Sequence, residues 1–170
     1  GDDTVTISGS SNYDYYWDTN LDAGDDRLDV SEFSGKTRED FTADGGEGDD
    51  TYIGRDVSKT NNTYDRFYGQ DGSDTMTGGD ADEAFYGGAD EDILNGNDGD
   101  DILDGGDDDD TISGGAGSDT ITGGDGADTI SGGSGQDVFV YTSRNDAGDV
   151  ISDFVAGEDG DLLDFRPLFE

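Results

Sequence analysis

The sequence predicts an all-β fold, a solenoid of very short strands stacked coil upon coil, and three observations predict it. Residues 69–140 read as eight nine-residue units without a break in frame: GQDGSDTMT, GGDADEAFY, GGADEDILN, GNDGDDILD, GGDDDDTIS, GGAGSDTIT, GGDGADTIS and GGSGQDVFV. Every unit opens on a glycine-rich turn, carries an acid at its sixth place and a large apolar residue at its eighth. Only 29% of the 170 residues are hydrophobic while 30 are glycine, a composition that alone reads as an acidic disordered chain, and a disordered chain would show no period. A fixed period of this kind marks stacked repeats, each too small to bury its apolar side chain except against a neighbour.

Each part of the unit follows from its residues. The last three places, of the form x-large-x, make a short strand with one apolar side chain on one face. The glycine-rich half must turn sharply, and glycine accepts positive φ without a steric penalty. Two units then close one coil of 18 residues with two strands back to back, and coils stack at roughly 4.8 Å. Acids 18 apart fall above one another. Asp74, Asp92, Asp110 and Asp128 line one edge; Glu83, Asp101, Asp119 and Asp137 line the other. Like charges stacked so closely repel, and more so in a partly desolvated turn. A hard divalent cation between successive turns removes the repulsion. Calcium suits carboxylates and free backbone carbonyls better than magnesium does, with its stricter octahedron. The chain has no Cys and no His, which disfavours metals that prefer thiolate or imidazole.

GGAGSDTIT, GGDGADTIS and GGSGQDVFV resemble the calcium-binding nonapeptides of RTX (repeats-in-toxin) proteins, GGxGxD-x-large-x. The resemblance covers residues 69–140, with a separate good copy, GGEGDDTYI, at 45–53. It implies a parallel β-roll, a right-handed β-solenoid, in a bacterial protein exported by type I machinery. It also implies calcium held by the first, third and sixth places: Gly69, Asp71 and Asp74; Asp92; Gly96, Asp98 and Asp101; Gly105, Asp107 and Asp110; Gly114, Ala116 and Asp119; Gly123, Asp125 and Asp128; Gly132, Ser134 and Asp137; and Asp50 in the separate copy. Asp65 and Glu83 are expected to be weak ligands. About five to seven ions are expected in all. Three units depart from the pattern: Ala81 and Glu83 in the second, Asp90 in the third and Asp108 in the fifth. Each departure is expected to weaken its neighbouring sites, Glu83 most of all.

Outside the array the chain divides into three stretches. Residues 1–44 are expected to hold degraded repeats and an N-terminal cap. DDTVTIS alternates like a strand, and LDAGDDRLD keeps Gly24, Asp26 and Leu28 in place. The aromatic cluster of Tyr13, Tyr15, Tyr16 and Trp17 is read as a cover for an open end rather than a sugar-stacking surface. Lys36 and Arg38 fall in a polar insertion. Residues 45–140 form the roll, with a loop bulging near 54–63, so that Asp50 lies on the edge of Asp74 and Asp65 on that of Glu83. Residues 141–170 are expected to seal the C-terminal end with Val150, Ile151, Phe154, Leu162, Leu163 and Phe165. This stretch is similar to the segment after the repeats in type I-secreted RTX proteins, large adhesins among them, and residues 166–170 are read as the start of a secretion segment. The opening GDDTV reads as the tail of a preceding repeat, so upstream domains are expected.

A formal net charge of −37 argues against nucleic acid and anionic membranes as partners. No run is long enough for a membrane-spanning helix. The acids belong to a repeating position, and no nucleophile, base and orienter stand out as a unique set, so no catalysis is expected. The expected role is a secreted, monomeric calcium-binding module, unfolded at low calcium for export and folding outside. The alternative is a ligand-binding module presenting a face to polysaccharide or ice. Its seventh and ninth places should then be uniform, and they are only partly so.

Overall fold

The computed structural model describes residues 1–8, 17–33, 41–56, 64–143, 148–157 and 160–165. Among them there is no helix, only short strands: β1 (Thr4–Thr6), β2 (Trp17–Asn20), β3 (Arg27–Asp29), β4 (Phe41–Glu47), β5 (Thr51–Ile53), β6 (Asp65–Asp71), β7 (Thr75–Thr77), β8 (Glu83–Ala89), β9 (Ile93–Asp98), β10 (Ile102–Asp107), β11 (Thr111–Ala116), β12 (Thr120–Asp125), β13 (Thr129–Ser134), β14 (Val138–Val140), β15 (Val150–Ile151) and β16 (Leu162–Asp164). Odd-numbered strands build one eight-stranded sheet in chain order and even-numbered strands the other. All pairings are parallel, as in Phe67 with Phe85, Leu103 with Ile121 and Ile112 with Ile130. The chain is the parallel β-roll that its period predicts.

Coil length is not uniform. From Asp74 to Asp137 stacked acids are 18 residues apart, which is two units per coil. Towards the N-terminus the step is 24, as between Asp26 and Asp50 and between Asp50 and Asp74. The added residues fall in stretches that include 9–16, 34–40 and 57–63. Those stretches lie outside the described residues, and so do Tyr13, Tyr15, Tyr16, Lys36 and Arg38. β1 to β4, all beginning before residue 45, share the two sheets with the repeats.

Eighth-place side chains arrive alternately from the two sheets and fill the interior. Leu28, Tyr52, Met76, Leu94, Ile112 and Ile130 come from one, and Phe67, Phe85, Leu103, Ile121 and Phe139 from the other, none more than 2% exposed. Full burial of such a side chain is worth roughly 1.5–3 kcal/mol. Aromatic rings concentrate toward the N-terminal side, where Tyr52 stacks on Phe67 at 5.1 Å and meets Phe85 edge-on at 5.5 Å.

At the other end, β15 pairs with β13 and β16 with β14, so the tail adds a further rung. Phe154 packs against Phe139 at 6.0 Å and Phe165 stacks on Tyr141 at 5.0 Å. Yet Val150, Val155, Leu162, Leu163 and Phe165 stay exposed. Leu163 takes the register position of a core residue, opposite Phe139, but has no coil beyond it among the described residues. The tail thus covers the last repeat while leaving its own apolar edge open.

Candidate metal centre

Each sixth-place acid sits where a turn enters a strand, and its backbone N–H points along the stack toward the next coil. The side chain one coil on accepts that N–H, except at Asp65, whose N–H goes to the carbonyl of Asp82. On the first edge, Asp26, Asp50, Asp74, Asp92, Asp110 and Asp128 donate in turn to Oδ1 of Asp50, Asp74, Asp92, Asp110, Asp128 and Asp149, at 2.7–3.2 Å. On the second edge, Glu83, Asp101, Asp119 and Asp137 donate to Asp101, Asp119, Asp137 and Asp161, again at 2.7–3.2 Å. One oxygen of each carboxylate thus locks the coil spacing.

The other oxygen has no such task. Oδ2 of Asp26, Asp50, Asp74, Asp92, Asp101, Asp110, Asp119, Asp128 and Asp137 is buried without a hydrogen-bond partner. A buried, unpaired charged oxygen is costly and calls for a counter-ion. The backbone leaves room for one. A methyl group placed on Gly105 would run into Oδ2 of Asp110 and the carbonyl oxygen of Gly123 in the next coil, and Gly87, Gly96 and Gly114 have the corresponding surroundings. The first-place glycine therefore keeps open a space on which a carboxylate oxygen and a first-place carbonyl converge. Third-place carbonyls of Asp71, Ala116 and Ser134 already accept an N–H from Gly48, Gly99 and Gly117, and each keeps a second lone pair. Among the described residues no three carboxylates gather at one point. The donor set is instead one carboxylate per turn plus backbone carbonyls. Hard oxygen donors of this kind fit calcium.

Without metal these carboxylates resist ionisation. Burial is the largest cause, the N–H donated from the preceding coil pulls the other way, and neighbouring carboxylates add to the rise. Asp110 is pushed up to about 8, Asp74, Asp101 and Asp119 to about 7, and Asp92 and Asp128 to about 6. Asp50 and Asp137 are raised as well.

The departing units do not behave alike. Asp90 and Asp108, which stand at the fourth place, where the repeat has its third glycine, hold φ of 76° and 77°. Aspartate tolerates this left-handed region, so both turns keep their path and Asp92 and Asp110 stay in the row. The Glu83 turn does differ. Neither Gly79 nor Ala81 is left-handed, and Glu83 Oε2 accepts the N–H of Gly79 at 3.2 Å.

The rows also extend beyond the residues expected from sequence. Asp26, Asp149 and Asp161 join them, placed by 23- or 24-residue steps at one end and 21- or 24-residue steps at the other. Gly87 joins the turn glycines. A search in frame at 18 passes over the three acids, whereas Gly87 is in frame, 18 residues from both Gly69 and Gly105. A second, exposed set of hydrogen bonds runs the opposite way through fifth places: the N–H groups of Asp49, Ser73, Asp100, Ser118 and Ala127 donate to Asp25, Asp49, Asp82, Asp100 and Asp109.

Fold and donor set together define a calcium-binding parallel β-roll. Four overlapping matches to the RTX calcium-binding nonapeptide repeat fall on residues 53–82, 60–94, 77–112 and 104–139. They span just over half of the chain, which belongs to that family. Its repeats bind calcium and are a structural rather than a catalytic module. No curated protein and no solved structure matches the chain.

Proposed function

We propose that this chain is a calcium-triggered folding module of a secreted protein, held unfolded for type I export and folded by calcium outside the cell. The observation that carries the reading is the double row of buried carboxylates, nine of which, among the described residues, are aspartates whose Oδ2 no protein donor satisfies. At a formal charge of −37 these rows oppose folding until a cation fills them. Binding free energy then becomes folding free energy. The residues proposed to hold the ions are the sixth-place aspartates from Asp26 to Asp137 that keep a free Oδ2, with first- and third-place carbonyls. Residues 1–44 and 141–170 are proposed to protect the ends, and the parent is proposed to be an extracellular or cell-surface protein of the adhesin kind.

The outer faces give less support to a polysaccharide- or ice-binding reading. On the odd-numbered sheet the seventh places run Thr4, Arg27, Thr51, Thr75, Ile93, Thr111, Thr129 and Val150. Arg27, Ile93 and Val150 break the threonine row.

Small-angle scattering in chelator, in calcium and in magnesium tests the folding reading. An unfolded chain of this length has a radius of gyration of about 40 Å. Chelated and magnesium samples should lie near it, and calcium should collapse the chain. A compact particle in chelator at neutral pH would overturn the proposal.

A further inference from the structure

The second edge does not carry one pattern from end to end. Its second turn places read Arg55, Gly79, Asn97, Gly115 and Gly133. The alignment of the first two follows from Gly79, whose missing methyl faces the carbonyl of Arg55 one coil back. Asn97, Gly115 and Gly133 are left-handed, with φ of 72°, 117° and 99°, whereas Arg55 and Gly79 are not. At Arg55 the change of backbone goes with a side chain turned inward and only 4% exposed. Its Nε donates to Oδ2 of Asp65 at 2.7 Å and its Nη2 to Oδ1 at 2.9 Å. The guanidinium carbon lies 5.9 Å from the centre of the Phe33 ring.

One coil on, the same replacement of ion by proton donor continues. Asn97 Nδ2 donates to the carbonyl of Gly78 at 2.9 Å, and the N–H of Gly79 to Glu83 Oε2. Both carboxylate oxygens of Asp65, one of Glu83 and the first-place carbonyl between them therefore face N–H groups. On this edge the buried carboxylate oxygens with no hydrogen-bond donor are Glu83 Oε1 and, from Asp101 onward, the aspartate Oδ2 atoms, so the full pattern of the other edge resumes at Asp101. The Tyr52 hydroxyl senses the same cluster. Burial raises it most, Asp65 and Glu83 raise it further, and Arg55 works against them. A guanidinium is a permanent cation whose planar fork matches a carboxylate. A buried carboxylate needs such a partner, and a divalent ion beside it would meet a like charge in a poorly screened site.

We propose that Arg55 is a built-in cation standing in place of calcium at the Asp65–Glu83 step, so that this edge takes metal only from Asp101 onward while the opposite edge takes it along its whole row. The proposal rests on the calcium reading above. The Asp65 carboxylate is then a partner for arginine and not a metal ligand, although it occupies the sixth place of a repeat.

Calcium stoichiometry of the full chain by isothermal titration calorimetry tests this in the wild type, Asp65→Asn and Asp119→Asn. Asp65→Asn should bind as many ions as the wild type while unfolding at a lower temperature in calcium, because it strands a buried guanidinium. Asp119→Asn should lose at least one ion. Loss of an ion in Asp65→Asn would overturn the proposal. If that variant does not fold, the paired change Arg55→Met with Asp65→Asn removes both charges and leaves the same readout: an unchanged count supports the proposal and a lower one overturns it. A full count in Asp119→Asn would overturn the calcium rows themselves, and the proposal with them.

Discussion

Replacing Asp110 by asparagine should act in opposite directions on the metal-free and the calcium-loaded roll. Asp110 is 2% exposed at the middle of the first edge. Its Oδ1 accepts the N–H of Asp92 at 2.8 Å, and its Oδ2 has no partner. Burial first, and then the carboxylates of Asp92, Asp128 and Asp108, push it up to about 8 against the pull of the Asp92 N–H. An unfolded aspartate titrates near 3.8. Because the folded value is the higher one, the metal-free roll is most stable below about pH 4 and loses stability as pH rises through that value. At pH 7 the cost is about 4 kcal/mol for this one group. Asparagine keeps an oxygen for the Asp92 N–H and removes the charge. In chelator, Asp110→Asn should therefore raise the pH below which β structure forms. In calcium it removes a ligand charge shared by two coils, so the thermal midpoint should fall by several degrees and more calcium should be needed to fold. Circular dichroism against pH in chelator, and against temperature in calcium, reads both arms. Equal destabilisation in the two states would refute the reasoning, since it would leave Asp110 only a hydrogen-bonding role.

Protons should compete with calcium: between pH 8 and pH 6 the calcium midpoint of the wild type should rise as Asp74, Asp101, Asp110 and Asp119 take up protons, and a midpoint independent of pH would count against the raised values. Gly105→Ala drives a methyl into Asp110 Oδ2 and the Gly123 carbonyl, so it should lower the thermal midpoint in acid through the clash and lower it further in calcium by blocking that step; equal losses in the two conditions, read by calorimetry, would mean that no calcium is held there. Ending the chain after Val140 strips β15, β16 and Phe154 from a Phe139 that is now 1% exposed. Its calcium midpoint should rise or its folding fail, and coincident midpoints for the two lengths would mean that the tail adds no stability.

How much of this was legible in the sequence depended on whether period or length carried the information. Eight tandem units predicted the coil, the inward eighth places from Met76 to Phe139 and the two acid edges, because nine residues can stack only one way once the apolar and acidic places are set. The N-terminal coils were harder. LDAGDDRLD showed Asp26 and Leu28 in their repeat places, but the 24-residue steps hid the stacking of Asp26 on Asp50 from an 18-residue frame. Asp149 and Asp161 were masked likewise by steps of 21 and 24 residues at the other end. Asp90 and Asp108 replace a glycine of the repeat, and both turns keep their path because the left-handed region also admits aspartate. Arg55 was invisible for a different reason. A lone arginine after a glycine says nothing about burial, and its meaning depends on Asp65 meeting it from ten residues away.

The central claim, that cations turn two self-repelling carboxylate rows into a folded roll, is tested most directly by a calcium titration of the chelated chain at pH 7.5, followed by far-ultraviolet circular dichroism. Burial raises all six aspartates with values between about 6 and 8, so at this pH each of them opposes folding of a metal-free roll. The chelated chain should therefore give a coil spectrum and convert to β structure in one cooperative step at about 10⁻⁴–10⁻³ M calcium. A β spectrum already present in chelator, and unmoved by calcium, would contradict the claim.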